Sequence, residues 1–363
     1  MTEDILTVNE LFSGIGAQRK ALDRLGIAHE VVGVCEIDKY AIQSYEAIFG
    51  KTYNYGDICT AERLEYADLW TYSFPCQDIS VAGNQKGISS ETRSGLLYQV
   101  QRLLEVAKDE GKLPKYLLLE NVKNLVGKKF KSQFDDWLFY LDQLGYDTYW
   151  QVLNAKNYGI PQNRERVFAI SIRKDLNQNF EFPKAEELKI RLKDILEDEV
   201  DEKFYLSEKS IQGFLKHNEN HEAKGTGFLW KPRDVNGYAS CLRANGALCP
   251  TDNTIAEITS PVRLGNIYGE NMGTGFAGNV WDKEAISPAL MTMQGGNRQP
   301  MVLIENIRIR KLTPLECWRL MGFDDEDFYK AQKSGVSNSQ LYKQAGNSIV
   351  VNVLEKIFEN LYK

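Results

Sequence analysis

Residues 5–36 constrain the fold more than any other stretch. Ile5, Leu6, Val8, Leu11 and Phe12 make an apolar run of strand character that feeds straight into Ser13-Gly14-Ile15-Gly16-Ala17. A helix follows, with Leu22 and Leu25 on one face and Gly26 as its stop. Residues 31–35 read as the next strand, and it ends in Glu36. Strand, glycine turn, helix, strand and acid arrive in the order of a nucleotide-binding βαβ unit, with close to the roughly 20 residues such a unit leaves between turn and acid. Glycines let the backbone approach a ligand, and the acid can accept hydrogen bonds from two ribose hydroxyls. The expectation is an α/β fold with a Rossmann-like sheet.

The turn lacks a third glycine: Lys20 stands where one would fall, and Arg19 opens the helix. That weakens a pyrophosphate reading and favours a nucleoside without phosphates, S-adenosylmethionine being the obvious one. Taken alone, Gly14-x-Gly16 could mark a structural turn; Glu36 in register tips the balance. Asp57, between Gly56 and Ile58, could accept from an adenine amino group, although an isolated Gly-Asp is ordinarily a turn.

Residues 69–72 read as a short strand that must stop at Pro75, which biases Phe74 away from helix. Cys76 then sits on a loop just past a strand end, where open α/β sheets bind ligands. Its bland alternative is one of six ordinary small apolar cysteines. Gly83 and Gly87 flank a polar segment, a candidate mobile loop. Leu97, Val100, Leu103, Leu104 and Ala107 give a helix, and residues 116–119 an apolar strand ending in Glu120-Asn121-Val122. For an isolated Glu120 a solvated turn would be the default reading. A helix with Phe134, Trp137, Leu138, Leu141 and Leu144 closes at Gly145, and residues 150–153 are strand-like. In Gln162-Asn163-Arg164-Glu165-Arg166 the arginines alternate by two and can project to one side of an extended segment. They are either surface arginines or paired forks for a carbonyl, phosphate or carboxylate.

After Ile172 the pattern breaks. Residues 174–225 are highly charged, and 225–300 are rich in Gly, Asn, Thr and Pro. Two segments, 239–246 and 288–295, look like distant echoes of each other, short strands entering glycine turns. The expected division is a catalytic, cofactor-binding domain of residues 1–182 and 306–363, and a smaller loop-rich module of residues 183–305. Pro314 opens a helix capped by Thr313, and a last helix carries Val350, Val353, Leu354, Ile357 and Leu361 on one face. Net charge of −6 counts mildly against a nucleic-acid partner, yet basic clusters exist at Lys123, Lys128, Lys129 and Lys131 and at Arg308, Arg310 and Lys311. Six cysteines without C-x-x-C pairing argue for reduced thiols and a cytoplasmic setting, and no apolar run reaches membrane-spanning length. His217 and His221 have no cysteine pair nearby, so no metal is expected.

These motifs together resemble the DNA (cytosine-5)-methyltransferases of bacteria and phages. The matching segments are 11–17, Glu36, 56–58, Phe74-Pro75-Cys76-Gln77, Glu120-Asn121-Val122, 162–166, 312–323 and Gln344-Ala345-Gly346-Asn347-Ser348, in the family's order. Ser13, Ala17 and Ile79 depart from its commoner residues without touching a reactive atom. The resemblance implies that Cys76 attacks cytosine C6 and that Glu120 holds a proton for N3. It implies that Arg166, with Arg164 behind it, grips the cytosine O2. It further implies S-adenosylmethionine held by Phe12, Gly14, Gly16, Glu36, Ile37, Asp57, Ile58, Pro75, Leu97, Asn347 and Ile349. DNA would be touched by Gln77, Ser80 and Arg93, with residues 77–94 closing as a lid when it binds. Residues 183–305 become a target-recognition domain, and the partner double-stranded DNA, bound by a monomer that a cognate restriction endonuclease can accompany. A nicotinamide oxidoreductase would leave Cys76, Glu120 and Arg166 unexplained. An RNA methyltransferase with the same motifs, a binding-only homologue and a thiol hydrolase are the other rivals; the intact residues weigh against the second, and the three histidines offer Cys76 no base.

Overall fold

A computed structural model of the chain describes residues 5–75, 93–227, 229–244, 249–258, 263–266, 279–281 and 307–362. Cys76, Gln77, Ser80 and nearly all of the expected lid lie outside them; of Arg93 only the backbone is described, in a short 3-10 turn over Arg93–Leu96.

The expected strand, turn and helix of the first stretch are present as β1 (Leu6–Leu11), α1 (Ala17–Leu25) and β2 (His29–Cys35). They are followed by α2 (Lys39–Phe49), β3 (Leu69–Tyr72), α3 (Leu97–Asp109), β4 (Tyr116–Val122), α4 (Lys131–Gln143), β5 (Tyr146–Asn154), β6 (Gln162–Asn163) and β7 (Glu165–Arg173). Six strands form one sheet in the order β2-β1-β3-β4-β7-β5. The four from β2 to β4 are parallel, and β7 runs antiparallel to both its neighbours. From β1 the chain passes to one side for β2 and returns to the other for β3. That reversal opens a crevice beyond the carboxyl ends of β1 and β3, the usual ligand position in such sheets.

One face of the sheet is covered by α3 and α4. Leu103 and Leu104, Phe134 and Trp137 meet Trp70, Tyr72, Leu117 and Leu119 in one apolar cluster. Among these the Trp137 indole donates to the Tyr72 hydroxyl at 3.1 Å. The last helix, α9 (Val351–Leu361), buries Val353, Leu354, Ile357, Phe358 and Leu361 and packs along α1. Truncating fully buried Leu354 to alanine would cost roughly 2–5 kcal/mol. Gly16 sits at φ 79°, and a Cβ there would stand 2.5 Å from Phe49, so only glycine lets α1 start this close to α2.

Two placements differ from the sequence reading. β4 continues through Val122, so Glu120 lies within the strand, because antiparallel β7 pairs it as far as Val122 with Arg166. After α6 (Pro314–Arg319) and α7 (Asp325–Lys333), the Gln344-Ala345-Gly346-Asn347 segment belongs to a helix, α8 (Asn338–Asn347), rather than to a loop before the last one.

By packing, the chain divides into one unit of residues 1–195, 238–247 and 314–363 and another of 196–237 and 248–313. Relative to the expected limits, residues 183–195 and 238–247 join the first unit and 306–313 the second. The second unit contains α5 (Glu208–Lys224), β9 (Thr254–Ile258), β10 (Arg263–Asn266), β11 (Asn279–Trp281) and β12 (Ile307–Lys311). β9 pairs antiparallel with β12, where buried Arg310 meets Glu257. α5 buries none of its residues, which is why no apolar stripe announced it. Its His217 and His221 rings lie 4.3 Å apart. Among the described residues no group of three potential metal ligands gathers, and no helix is long and apolar enough to cross a membrane.

Candidate active site

The carboxyl ends of β1 and β2 build the first half of the site. Phe12 leaves β1 at φ 60°, an uncommon conformation for a side chain of its size, with its amide on the Cys35 carbonyl at 2.8 Å. That bend brings the Gly14 amide to 2.9 Å from Glu36 Oε2. Glu36 Oε1 accepts the amides of Ile37 and Asp38 at 2.9 and 2.8 Å. Burial pushes the Glu36 carboxyl above its ordinary value, and these three amides pull it back. Ile37, beside it, is 74% exposed, an apolar side chain left in solvent at the mouth of the turn. Asn54, which the sequence gave no reason to single out, clamps this end: its Oδ1 accepts the Glu36 and Gly56 amides, and its Nδ2 donates to the Glu36 carbonyl at 3.0 Å. Asp57 is exposed, with Oδ1 on the Cys59 amide at 2.9 Å, while Ile58 and Leu97 belong to the apolar core.

The ends of β3 and β4 build the second half. Glu120 is 5% exposed. Its Oε1 lies 3.2 Å from Arg166 Nε, and its Oε2 accepts a hydrogen bond from the Ser73 hydroxyl. Asn121 Nδ2 donates to the Phe74 carbonyl at 3.0 Å, so Ser73 and Phe74, just ahead of Cys76 in sequence, are tied to β4 by two successive side chains. Arg164 is buried, and its terminal nitrogens reach main chain: Nη2 the Gly346 and Ser348 carbonyls at 3.0 and 2.7 Å, and Nη1 the Leu242 carbonyl at 3.3 Å.

Both arginines converge on a residue that sequence reasoning passed over. Arg164 Nη1 lies 3.4 Å and Arg166 Nη2 3.6 Å from Cys241 Sγ. Cys241 follows β8 (Ala239–Ser240), which pairs with β6 beside Arg164. Burial raises the Cys241 thiol, but the two guanidinium groups outweigh it and hold the thiol below its ordinary value. The shared sulfur also shows that Arg164 and Arg166 project to one side, as their spacing of two predicted.

α8 joins the halves. Its Lys343 pairs with Asp38 at 2.6 Å, and its Gln344 donates to the Tyr40 carbonyl and accepts from the Ser44 hydroxyl. Two residues on, Gly346 meets Arg164. Exposed Asn347 and buried Ile349 therefore flank the carbonyls that hold the arginine.

A family model described as C-5 cytosine-specific DNA methylase matches residues 6–363. The chain belongs to the C-5 cytosine-specific DNA methylases. Curated relatives agree along nearly their whole length. The type II methyltransferase M2.ScrFI of Lactococcus lactis subsp. cremoris is 35% identical, with 99% of each chain covered. The orphan methyltransferase M.SPBetaI of Bacillus phage SPbeta is 33% identical, with 98% of this chain and 97% of that one covered. Among solved structures, the Dnmt2 methyltransferase of S. pombe superposes with a TM-score of 0.65 at 22% identity, covering 98% of this chain and 97% of its own. The Entamoeba histolytica methyltransferase EhMeth gives 0.67 at 18%, covering 99% and 98%. These two likenesses speak to the fold alone.

This methylase takes its methyl group from S-adenosylmethionine, and the first half of its site suits that molecule. A Cβ added at Gly14 would stand in open space, so the turn leaves room above the backbone. The Glu36 carboxyl can accept ribose hydroxyls there, and exposed Ile37 offers an apolar plate to a purine.

Proposed function

We propose that this methylase modifies C5 of a cytosine flipped out of a specific double-stranded DNA sequence, through a transient bond between Cys76 Sγ and cytosine C6. The observation that supports this most is the Ser73–Glu120–Arg166 cluster at the base of the segment that presents Cys76. A thiolate adding to C6 turns C5 into an enamine carbon and drives charge toward N3, so a proton donor must stand at N3. Glu120, 5% exposed and held through its two oxygens by Ser73 and Arg166, is positioned for that task. Arg166, itself anchored by Glu120 and Cys241, would direct a donor toward the cytosine O2, while Arg164 locks the strand from behind. S-adenosylmethionine supplies an electrophilic methyl group, received in the half of the site around Glu36. Loss of the C5 proton then expels the cysteine; no described side chain is assigned to that step.

Reaching C5 requires extruding the base. Gln77, Ser80 and Arg93 would touch the DNA from the segment after Cys76, with sequence read by the second unit and affinity carried by salt-dependent phosphate contacts. We infer a monomeric enzyme; a cognate restriction endonuclease, if present, would share its site.

The test uses unmethylated genomic DNA carrying 5-fluorocytosine. The enzyme with S-adenosylmethionine should become attached in a denaturant-stable adduct, and Cys76→Ser should abolish both adduct and methyl transfer while binding the cofactor nearly as well. Retained turnover in Cys76→Ser would remove the nucleophile assignment. Bisulfite sequencing of the product identifies the site.

A further inference from the structure

We propose that Ser73 is a positioning residue for Glu120, its hydroxyl holding the carboxyl in one orientation whether or not the carboxyl carries a proton. This rests on the reading of Glu120 as the proton donor. β3 and β4 are parallel neighbours with Tyr72 opposite Leu119, so the next pair in register is Ser73 and Glu120. Residues so paired point their side chains to the same face. Ser73 Oγ donates to Glu120 Oε2 and lies 3.3 Å from the Glu120 carbonyl. Arg166 holds the other oxygen, Oε1, at 3.2 Å. The two oxygens are thus gripped by groups of different kind.

A guanidinium can only donate. It pairs with the ionised carboxylate but has nothing to accept a carboxyl proton with. A hydroxyl donates to the ionised form and accepts from the protonated one. Ser73 can therefore keep its hydrogen bond to Oε2 in either sense, accepting the carboxyl proton before the base is in place and donating to Oε2 once that proton points at cytosine N3 and leaves. Without it the terminal torsion of Glu120, broad for such sp³–sp² bonds, loses one of its two restraints. Ser73 also stands three residues before Cys76, so it fixes the acid relative to the segment that presents the nucleophile.

The experiment measures methyl transfer by the full-length enzyme to unmethylated genomic DNA, separating kcat from KM. Ser73→Ala is expected to lower kcat by about tenfold, as for loss of one hydrogen bond to a charged group, with KM for DNA and S-adenosylmethionine unchanged. Ser73→Thr, which keeps the hydroxyl, should restore most of the rate. Adding Ser73→Ala to Glu120→Gln should bring no further loss in single-turnover assays. If Ser73→Ala does not fold, judged by its melting transition, Ser73→Gly serves in its place. A Ser73→Ala or Ser73→Gly rate within twofold of wild type, alongside a disabled Glu120→Gln enzyme, overturns the role of Ser73. So does a loss that falls on KM, a folded Ser73→Thr no better than Ser73→Ala, or a full additional loss on the Glu120→Gln background. An active Glu120→Gln enzyme instead overturns the reading of Glu120 itself.

Discussion

Glu36 and Glu120 are both carboxylates at the carboxyl ends of parallel strands, yet they are held in opposite ways. Glu36 is fixed by three backbone amides, from Gly14, Ile37 and Asp38. Glu120 is fixed by two side chains, Ser73 and Arg166. Amides belong to the fold and cannot turn away, which fits an acid whose task is to accept hydroxyls in constant geometry. Side chains can rotate or exchange donor for acceptor, which fits the proposed role of an acid that gives up a proton and regains it. A third acid, Glu10 in β1, is fully buried and pairs with the Tyr45 hydroxyl at 2.6 Å and the Arg19 amide at 3.0 Å. It links β1 to α1 and α2.

The contrast can be broken by substitution. Glu120→Gln should lower kcat by roughly 10²–10⁴-fold, the usual worth of a general acid, and leave S-adenosylmethionine affinity unchanged by calorimetry. Glu10 probes stability instead. Burial pushes its carboxyl up to about 7, opposed by the Tyr45 hydrogen bond and by Arg19, and assisted by Asp23. Between the ordinary value of 4.5 and about 7 the folded protein therefore binds a proton that the unfolded chain has lost, so stability falls as pH rises through that window. The loss is about 3 kcal/mol, because each tenfold change in proton affinity is worth about 1.4 kcal/mol. Denaturant midpoints of Glu10→Gln should equal or trail wild type at pH 4.5 and exceed it by pH 8; parallel curves would contradict the burial argument.

Glu36→Ala removes acceptor and clamp together. It should weaken S-adenosylmethionine binding by roughly 10–100-fold in calorimetry, with kcat at saturating cofactor within a few-fold of wild type. An equal loss in kcat would erase the distinction between the two acids. The smallest effect is expected at Cys241. Cys241→Ala should lower kcat by roughly threefold in steady-state assays, since Arg166 keeps Glu120 and the Glu165 carbonyl, 2.8 Å from Nη1, as partners. In the wild type, iodoacetamide labelling of the Cys241 peptide should rise at lower pH than the about 8.5 of a free thiol, because both arginines favour its ionised form.

What could be read beforehand was local. β1, α1, β2 and β3 were legible because each carries its own apolar period and its own stop, Gly26 or Pro75. Glu36 was legible because its partner turn lies about 20 residues away in a familiar order. Cys241 was not, since its partners are 75 and 77 residues distant and nothing around it differs from an ordinary short strand. The extension of β4 past Glu120 failed for the same reason: it is imposed by β7, some 45 residues on, not by the residues of β4. Ser73 gave no signal beyond its position, because serine after a strand is ordinary turn chemistry.

The grip of Arg164 on Gly346 and Ser348 has a consequence for biosynthesis. A Cβ at Gly346 would lie 2.4 Å from the Arg243 and Ala244 main chain, so three distant stretches of polypeptide close on one point. The ribosome delivers the arginine some 180 residues before the carbonyls that accept its hydrogen bonds. Until residues 346–348 emerge, the guanidinium lacks those two acceptors. These Arg164 contacts can therefore close only after about 180 further residues have been made.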